Sequence, residues 1–285
     1  MKIGIVGGKG FIGRNFCSYL REIGVPLIEF GKLEVSQTPL DQVIPQLSSI
    51  DVILWAASNV NPKIANESPE KVSHEFLLWD NFVARIKLFE LIVNKSIQII
   101  FLSSGGCVYD GDSPPFEVGD SAQGINHYGK MKLGMESILV NSTDNYTILR
   151  VSNAYGSGQP AGRGQGVFAE WNQSLIANEP LKVFGSVKQI RDYINIVDVS
   201  KGLFLAAKLK TKGTHNLGYG AGFSLEYVQS LYSKFWDSSL KFEYHPDRVI
   251  DRNSYWLNMS KTEEILNWRP QVDLELGIRK MLENL

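Results

Sequence analysis

The chain has 285 residues, with 29 Lys and Arg against 30 Asp and Glu, so its formal net charge is −1. This balance argues against a nucleic-acid-binding protein, which carries a marked basic surplus. Hydrophobic residues make up 44% and charged residues 21%, which is typical of a globular chain of one or two domains. We expect neither a membrane span nor a secretory signal, because the apolar run near the start is only Ile3–Val6. Cys17 and Cys107 fit neither a disulfide framework nor a metal site, so we expect a cytoplasmic protein without a metal.

The first half of the chain repeats a short apolar run, a turn and an amphipathic segment. The runs that predict strands are Ile3–Val6, Pro26–Phe30, Val52–Ala57, Ile97–Leu102 and Tyr146–Val151. The segments with helical spacing are Phe11–Ile23, Asn81–Asn94 and Tyr128–Asn141. This alternation predicts an α/β fold over residues 1–155, with a doubly wound parallel sheet of the Rossmann type.

The second half is less regular and begins with a glycine-rich stretch, 156–166. Shorter elements follow, which we predict as strands at Leu181–Phe184 and Tyr193–Val197 and as helices at Phe168–Asn178, Val197–Leu209 and Leu225–Phe235. We predict a smaller, partly interwoven C-terminal α/β substrate domain over residues 156–285. A segment near 188–215 is expected to return to the first domain.

A glycine-rich turn follows the first predicted strand. Gly7, Gly10 and Gly13 have the spacing G-x-x-G-x-x-G and lead into the first predicted helix. Glycines here permit a tight turn, close approach of a pyrophosphate and close packing of helix on strand, while the helix N terminus attracts phosphate. The motif alone also fits a plain βα turn, but its position after the first strand favours dinucleotide binding.

The residue that meets the adenosine ribose is less clear. An NAD site usually has an acid at the end of the second strand, where this chain has Gly31 and Lys32. Glu29 is acidic but lies inside the apolar run. Lys9, Arg14 and Lys32 are cations that suit the 2′-phosphate of NADP. NAD and NADP therefore both stay open.

Tyr128 and Lys132 lie four residues apart in a predicted helix and therefore share one face. A free tyrosine titrates near pH 10, and a nearby ammonium group lowers the pKa towards a range useful for acid–base catalysis. The pattern Y-x-x-x-K is common by itself. Its meaning here depends on the motifs around it.

Those motifs recur in the order and spacing of one family. They are the glycine loop, Phe101-Leu-Ser-Ser-Gly-Gly-Cys-Val-Tyr109, Tyr128/Lys132, Ile148-Leu-Arg-Val-Ser-Asn153, Arg191-Asp-Tyr-Ile-Asn-Ile-Val-Asp198, Asn216-Leu-Gly-Tyr-Gly220, and Ser260-Lys with Leu266-Asn-Trp-Arg-Pro270. Nearly end to end, the chain resembles the extended short-chain dehydrogenase/reductases of the NAD-dependent epimerase/dehydratase family. Within that family it is most similar to UDP-hexose 4-epimerases.

The resemblance implies roles for individual residues. Tyr128 matches the catalytic base, and Lys132 matches the residue that binds the nicotinamide ribose and lowers the pKa of the tyrosine. The implied cofactor-binding residues are Gly7, Gly10, Phe11, Ile12, Gly13, Ala56, Asn81 and Lys132. The implied substrate-binding residues are Asn153, Arg191, Arg248 and Asp251, of which the arginines suit a diphosphate.

The chain departs from the family pattern at two positions. The family has a Ser or Thr that hydrogen-bonds the reacting sugar hydroxyl, and this position is Gly105 here. Ser104 and Cys107 are the candidates to replace that hydroxyl. Asn59 stands where epimerases often have a lysine near the cofactor phosphates.

The resemblance implies NAD(P)-dependent chemistry at C4 of a nucleotide-diphosphate sugar. We expect a 4-epimerase with bound NAD, in which Tyr128 takes the proton of the 4-hydroxyl. The alternative is an NAD(P)H-dependent reductase of a 4-keto-6-deoxy nucleotide sugar; a catalytically silent dinucleotide-binding protein has only Gly105 in its favour. A homodimer is also implied through helix Asn81–Asn94, although its apolar face also fits packing on its own sheet.

Overall fold

A computed structural model describes residues 1–162, 166–237, 239–246 and 254–285. The strands are β1 (Ile3–Val6), β2 (Leu27–Phe30), β3 (Val52–Trp55), β4 (Gln98–Ser104), β5 (Tyr146–Val151), β6 (Asn153–Tyr155), β7 (Leu181–Phe184), β8 (Ile190–Arg191), β9 (Tyr193–Asn195), β10 (Gly213–Leu217), β11 (Phe223–Ser224) and β12 (Phe242–His245). The helices are α1 (Phe11–Glu22), α2 (Lys32–Gln37), α3 (Leu40–Ser48), α4 (Pro62–Glu67), α5 (Pro69–Val93), α6 (Gly105–Val108), α7 (His127–Ser142), α8 (Val167–Ile176), α9 (Ile196–Leu209), α10 (Leu225–Phe235), α11 (Ser260–Leu266) and α12 (Leu274–Leu282).

The main sheet has six strands in the order β10-β5-β4-β3-β1-β2, and every neighbouring pair is parallel. The chain runs outward from β1 to β2 and then crosses back to β3, so the strand order reverses between β1 and β3. In open α/β sheets, ligands bind in the crevice at the carboxyl ends of strands beside such a reversal. The predicted doubly wound, Rossmann-type sheet is confirmed, and its topology indicates where a ligand site lies.

Both faces of the sheet are covered, which explains why its central strands are apolar throughout. On one face Trp55 and Phe101 pack against Trp79 of α5 and Met135 of α7. The opposite face packs against α1 and α9, where Leu203 is one of the buried residues. β1 and β3 are buried along their whole length. This burial requires the short, continuous apolar runs seen in the sequence.

Helix α5 differs from its prediction in both length and packing. It begins at Pro69, well before the predicted start at Asn81, and a proline is well tolerated there because the first helical N–H needs no partner. Phe82, Ile86 and Phe89 are buried against the sheet, so packing within the chain accounts for that apolar face. The exposed apolar residues of α5 are Leu77, Leu88, Leu91 and Ile92.

Two further boundaries differ because polar side chains have structural roles. The predicted strand Tyr193–Val197 ends at Asn195, whose side-chain oxygen accepts a hydrogen bond from Val197 N at 3.0 Å and caps α9. β10 was not predicted, since its buried residues include His215 and Asn216. It pairs with β5 at the edge of the main sheet.

Residues after β5 also build a separate core around Phe168, Trp171 and Tyr232, with small two-stranded sheets beside it. Tyr255 and Leu257 come back from this part of the chain and pack against Val108 and Tyr109, next to the carboxyl end of β4. The C-terminal part therefore forms one wall of the crevice above the main sheet. Across the described ranges, no helix combines the length and apolar character needed to cross a membrane.

Candidate active site

The glycine loop after β1 is a tight turn that excludes side chains. Gly7 has φ +93°, and a Cβ there would stand 2.7 Å from the Ala57 backbone nitrogen. A Cβ on Gly13 would overlap the Gly7 carbonyl oxygen. Gly10 N donates to Gly7 O at 3.0 Å and closes the turn. The loop thus requires glycine at Gly7 and Gly13 for physical reasons, as a phosphate-binding turn does.

Helix α1 starts directly behind this turn. Its N-cap is Gly10, and no described side chain caps it, so the N–H groups of Phe11, Ile12 and Gly13 at the helix start are available to a ligand. Such groups and the helix dipole favour a phosphate. Ala56 follows β3 and donates its N–H to Val6 O at 2.9 Å, which places it beside the loop. The loop and Ala56 therefore line the crevice at the reversal of strand order.

Tyr128 and Lys132 are held at the same edge of the sheet by the start of α7. Asn126 caps this helix by accepting a hydrogen bond from Gly129 N at 2.8 Å. A Cβ on Gly129 would overlap the Cys107 carbonyl oxygen, so glycine lets α7 approach α6 closely. Lys132 Nζ donates to Leu102 O at 2.9 Å and lies 5.6 Å from the centre of the Tyr128 ring. The predicted pair therefore lies next to the carboxyl end of β4.

The protonation properties of this pair differ from the expectation. Burial raises the pKa of Tyr128, and the nearby Cys107 and Glu75 add to the rise. Lys132 is only 5% exposed, and its burial lowers its pKa to about 8, against the opposing effects of Glu75 and Glu136. The expected lowering of the tyrosine pKa by Lys132 does not appear in this structure, where desolvation of the phenolate raises that pKa.

Gly105 lies where the C-terminal part of the chain leaves no room for a side chain. A Cβ on Gly105 would stand 2.7 Å from Leu257 Cδ1 and 3.2 Å from Arg150 O. A Cβ on Gly106 would stand 2.9 Å from the Tyr255 hydroxyl. The side chains of Leu257 and Tyr255 therefore occupy the space that a Ser or Thr in this turn would need.

The two candidates for the missing hydroxyl lie on either side of these glycines. Ser104 is the half-buried N-cap residue of α6. Cys107 is half-buried, and its Sγ accepts a hydrogen bond from Asn126 Nδ2 at 3.7 Å. Cys107 is close enough to Tyr128 and to Tyr255 to raise the pKa of both phenols, although burial is the larger cause for each. Cys107 thus lies close to both Tyr128 and Tyr255.

The residues predicted to hold substrate are only partly described. Asn153 is exposed, and its Oδ1 accepts a hydrogen bond from the Tyr255 hydroxyl at 2.7 Å. Arg191 is 8% exposed, donates to Gln189 Oε1 at 2.9 Å and lies 5.9 Å from the Tyr255 ring. Arg248 and Asp251 lie outside the described residues. The structure therefore brings Asn153 and Arg191 together around Tyr255.

Asp192 links the segment with Tyr255 and Leu257 to the rest of the chain through hydrogen bonds. Its carboxylate is fully buried and accepts hydrogen bonds from Ser152 Oγ at 2.9 Å, Tyr219 N at 2.8 Å and Leu257 N at 3.1 Å. Burial raises the pKa of Asp192 to about 6, although these hydrogen bonds act in the opposite direction. The segment that carries Tyr255 and Leu257 is thus tied to the loop after β10.

Asn81 does not lie with the other predicted cofactor residues. It lines a groove on the outer side of α5, where Gln37 of α2 and Arg85 of α5 are its neighbours. This groove is lined by residues of α2 and α5 and by none of the other predicted cofactor residues, so a cofactor-binding role for Asn81 stays a prediction.

Two buried carboxylates were missed by the sequence analysis. Glu136 lies one helical turn beyond Lys132 and forms an ion pair with Arg150 at 2.8 Å while it accepts a hydrogen bond from Ser103. Glu75 of α5 is 2% exposed and pairs with Lys32. Their sequence signal was weak: each is an acidic residue within a helix, a pattern that usually indicates a solvated face.

Comparison with known proteins connects this geometry to a family. The model of the NAD-dependent epimerase/dehydratase family matches residues 3–220. The chain belongs to this family. The resemblance seen in the sequence is therefore confirmed.

Several relatives and structures extend over nearly the whole chain. A UDP-glucose 4-epimerase from Yersinia pestis is 29% identical, over 96% of this chain and 94% of its own length. A dTDP-4-dehydro-6-deoxyglucose reductase from Escherichia coli is 26% identical, over 99% of this chain and 96% of its own. The crystal structure of Thermus thermophilus UDP-glucose 4-epimerase in complex with NAD superposes with a TM-score of 0.87 at 20% identity, covering 99% and 98% of the two chains. At this identity the structural likeness shows the shared fold.

Proposed function

We propose that this epimerase/dehydratase family member is an NAD-dependent 4-epimerase of a nucleotide-diphosphate sugar. The observation that carries the proposal is the placement of the glycine loop and the Tyr128/Lys132 pair at one edge of the sheet, on either side of the crevice. Relatives named as UDP-glucose 4-epimerases that cover nearly the whole chain support the same activity.

The crevice fits a dinucleotide. Gly7 and Gly13 lie in a cradle that a Cβ would fill, and the start of α1 offers N–H groups to a pyrophosphate. Phe11, Ile12 and Ala56 complete this cradle, and Lys132 would bind the nicotinamide ribose. Bound NAD supplies the two-electron acceptor for reversible oxidation at C4 of the sugar.

The protein's part in the reaction is to hold the sugar and to move one proton. Tyr128 takes the proton of the 4-hydroxyl as C4 is oxidised and returns it after the 4-keto sugar has presented its other face. Lys132 Nζ lies 5.6 Å from the centre of the Tyr128 ring, and its positive charge stabilises the phenolate that forms. Asn153 and Arg191 hold the diphosphate, for which a guanidinium group is well suited.

Gly105 favours a second candidate function, the reductase. The residue that in the family hydrogen-bonds the reacting hydroxyl is absent, and Leu257 fills its place. The E. coli relative named dTDP-4-dehydro-6-deoxyglucose reductase also matches end to end. In this alternative the same Tyr128 would donate a proton to the 4-keto oxygen, and the reduced dinucleotide would be consumed.

The first experiment separates these functions by the dinucleotide that the protein retains. Protein purified without added nucleotide is denatured, and released dinucleotide is identified by mass spectrometry. Stoichiometric NAD is expected, together with interconversion of a UDP-hexose and its 4-epimer without added cofactor. An empty site and net oxidation of NADH or NADPH with a 4-keto-6-deoxy sugar nucleotide would support the reductase instead.

Replacing Tyr128 by Phe tests the role of the phenol. The expected result is a turnover lower by about 10²- to 10⁴-fold with the dinucleotide content unchanged, because only the proton-transferring group is lost. Tyr227→Phe is the matched control, since Tyr227 is 40% exposed on α10 in the C-terminal part. Near-normal turnover of Tyr128→Phe would contradict the assignment.

A homodimer through α5 also belongs to the proposal. Leu88, Leu91 and Ile92 are exposed apolar residues near the end of this helix, and a second copy of the chain would cover them. Light scattering of the purified protein tests this directly, and replacing Leu91 by Glu is expected to give monomers.

A further inference from the structure

The cation at the tip of β2 is not available to a ligand. Lys32 follows this strand by two residues, and its ammonium group forms an ion pair with Glu75 of α5. The Lys32 side chain is 12% exposed and that of Glu75 is 2% exposed, so the pair is buried. The Asn59 backbone N–H also donates to Glu75 Oε1, at 3.0 Å, which fixes the carboxylate between the ends of β2 and β3.

The second carboxylate oxygen of Glu75 makes the ion pair with Lys32 more necessary. Oε2 is buried and finds no hydrogen-bond partner within the described part of the chain. A buried carboxylate needs compensation, and Lys32 is its ion-pair partner, while Lys132 is close enough to interact with Glu75 electrostatically. Removing Lys32 from this contact would leave the buried carboxylate without its ion-pair partner, which is strongly unfavourable.

This location matters because Rossmann-type sites contact the adenosine ribose at the end of the second strand. A site for NAD accepts hydrogen bonds from the free 2′-hydroxyl there, whereas a site for NADP needs a nearby cation for the 2′-phosphate. Arg14, another candidate cation, donates to Gly158 O on the C-terminal part of the chain.

Two carboxylates also lie near this tip, together with Arg21, which pairs with Glu29, and with the exposed Lys9 of the glycine loop. Glu29 lies beside Gly8 of the glycine loop, where a Cβ on Gly8 would overlap its carboxylate. Glu34 accepts a hydrogen bond from Gly31 N at 3.0 Å. Carboxylates can accept hydrogen bonds from a ribose diol but repel a 2′-phosphate.

We propose that Glu75 makes this site selective for NAD over NADP by holding Lys32 in a buried ion pair. The inference rests on the proposed dinucleotide binding and assigns its selectivity to a residue of α5. A 2′-phosphate would have to take Lys32 away from Glu75, whereas a 2′-hydroxyl leaves the pair intact.

The test compares the dissociation constants of NAD and NADP for protein stripped of bound dinucleotide. Glu75→Gln keeps an acceptor for the Asn59 N–H but removes the charge that holds Lys32. The affinity for NADP is expected to rise by about tenfold, the effect of one charge-assisted contact, with the affinity for NAD little changed. Adding Lys32→Met to this variant is expected to abolish the gain. Glu70→Gln is the matched control, because Glu70 is an exposed glutamate on the same helix.

The outcomes distinguish this inference from the proposed function. If the wild-type protein binds neither dinucleotide, the proposed function fails. If NAD binds and Glu75→Gln leaves the ratio of the two affinities unchanged, or if Lys32→Met does not reverse the gain, only the inference is overturned.

A second variant keeps the inference testable if Glu75→Gln does not fold. Gly31→Arg adds a cation at the tip without touching Glu75, and a Cβ at this position has ordinary contacts, 3.5 Å from the Glu34 Cβ. Affinity for NADP is expected to rise in this variant as well, and an unchanged affinity would overturn the inference.

Discussion

Replacing Gly105 by Ser restores the hydroxyl that the family has at this position, but it places a Cβ 2.7 Å from Leu257 Cδ1. Leu257 is fully buried in a cluster with Val108, Tyr109 and Phe116 and has little room to move. Overpacking of this kind costs about 1–3 kcal/mol in the free energy of unfolding. We therefore expect Gly105→Ser to fold with reduced stability.

Leu257→Ala relieves the contact and provides a double-mutant cycle. By itself this substitution is expected to cost about 2–5 kcal/mol, the range for a buried leucine. In the double variant the new side chain has space, so the combined loss is expected to be smaller than the sum of the single losses by about 1 kcal/mol or more. Gly119→Ser is the control, because a Cβ at Gly119 meets no atom within 4 Å.

Urea unfolding followed by circular dichroism measures all four free energies, and the epimerase and reductase assays are run on the same proteins. Losses that add within about 0.5 kcal/mol would refute the argument that Leu257 occupies the place of the missing hydroxyl. Non-additive losses of stability, together with a raised turnover of the double variant, would show that the serine hydroxyl and the Leu257 side chain compete for the same space.

Two other predictions concern buried charges. Burial lowers the pKa of Lys132 to about 8 from 10.5, so the folded chain disfavours the ammonium form. The free energy of unfolding of the wild-type protein is therefore expected to rise by up to about 3 kcal/mol between pH 8 and 10.5, whereas that of Lys132→Met lacks this rise. Urea unfolding at several pH values measures both, and the same pH dependence in the two proteins would contradict the prediction. Glu136→Gln leaves Arg150 buried without its ion-pair partner and is expected to cost about 3–5 kcal/mol. Chemical denaturation measures that loss, and Glu264→Gln at an exposed site on α11 serves as its control.

Local sequence patterns predicted most strands of the sheet and the glycine loop. The runs Ile3–Val6, Tyr146–Val151 and Leu181–Phe184 are strands with the predicted bounds. These strands are short and mostly apolar, so the burial of their apolar residues makes them predictable. The glycine loop was also predictable, because the exclusion of side chains at Gly7 and Gly13 is a local steric requirement.

Elements stabilised by polar contacts were harder to predict. β10 contains His215 and Asn216, which are buried only because other parts of the chain provide partners: Asn216 Nδ2 donates to Phe116 O at 2.8 Å. The start of α5 at Pro69 was missed as well, since its first turns carry polar residues that do not repeat with a helical period. In these cases tertiary contacts outweigh the local pattern.

By itself the sequence determined the first five strands of the sheet, the phosphate-binding turn and the spacing of Tyr128 and Lys132, because each depends on residues close together in the chain. Tertiary structure decided what surrounds them. It brings Leu257 against Gly105 and Glu75 against Lys32, pairs separated by 152 and 43 residues in the sequence. Such contacts depend on how the C-terminal part and α5 pack against the sheet, and a local sequence pattern does not specify that packing.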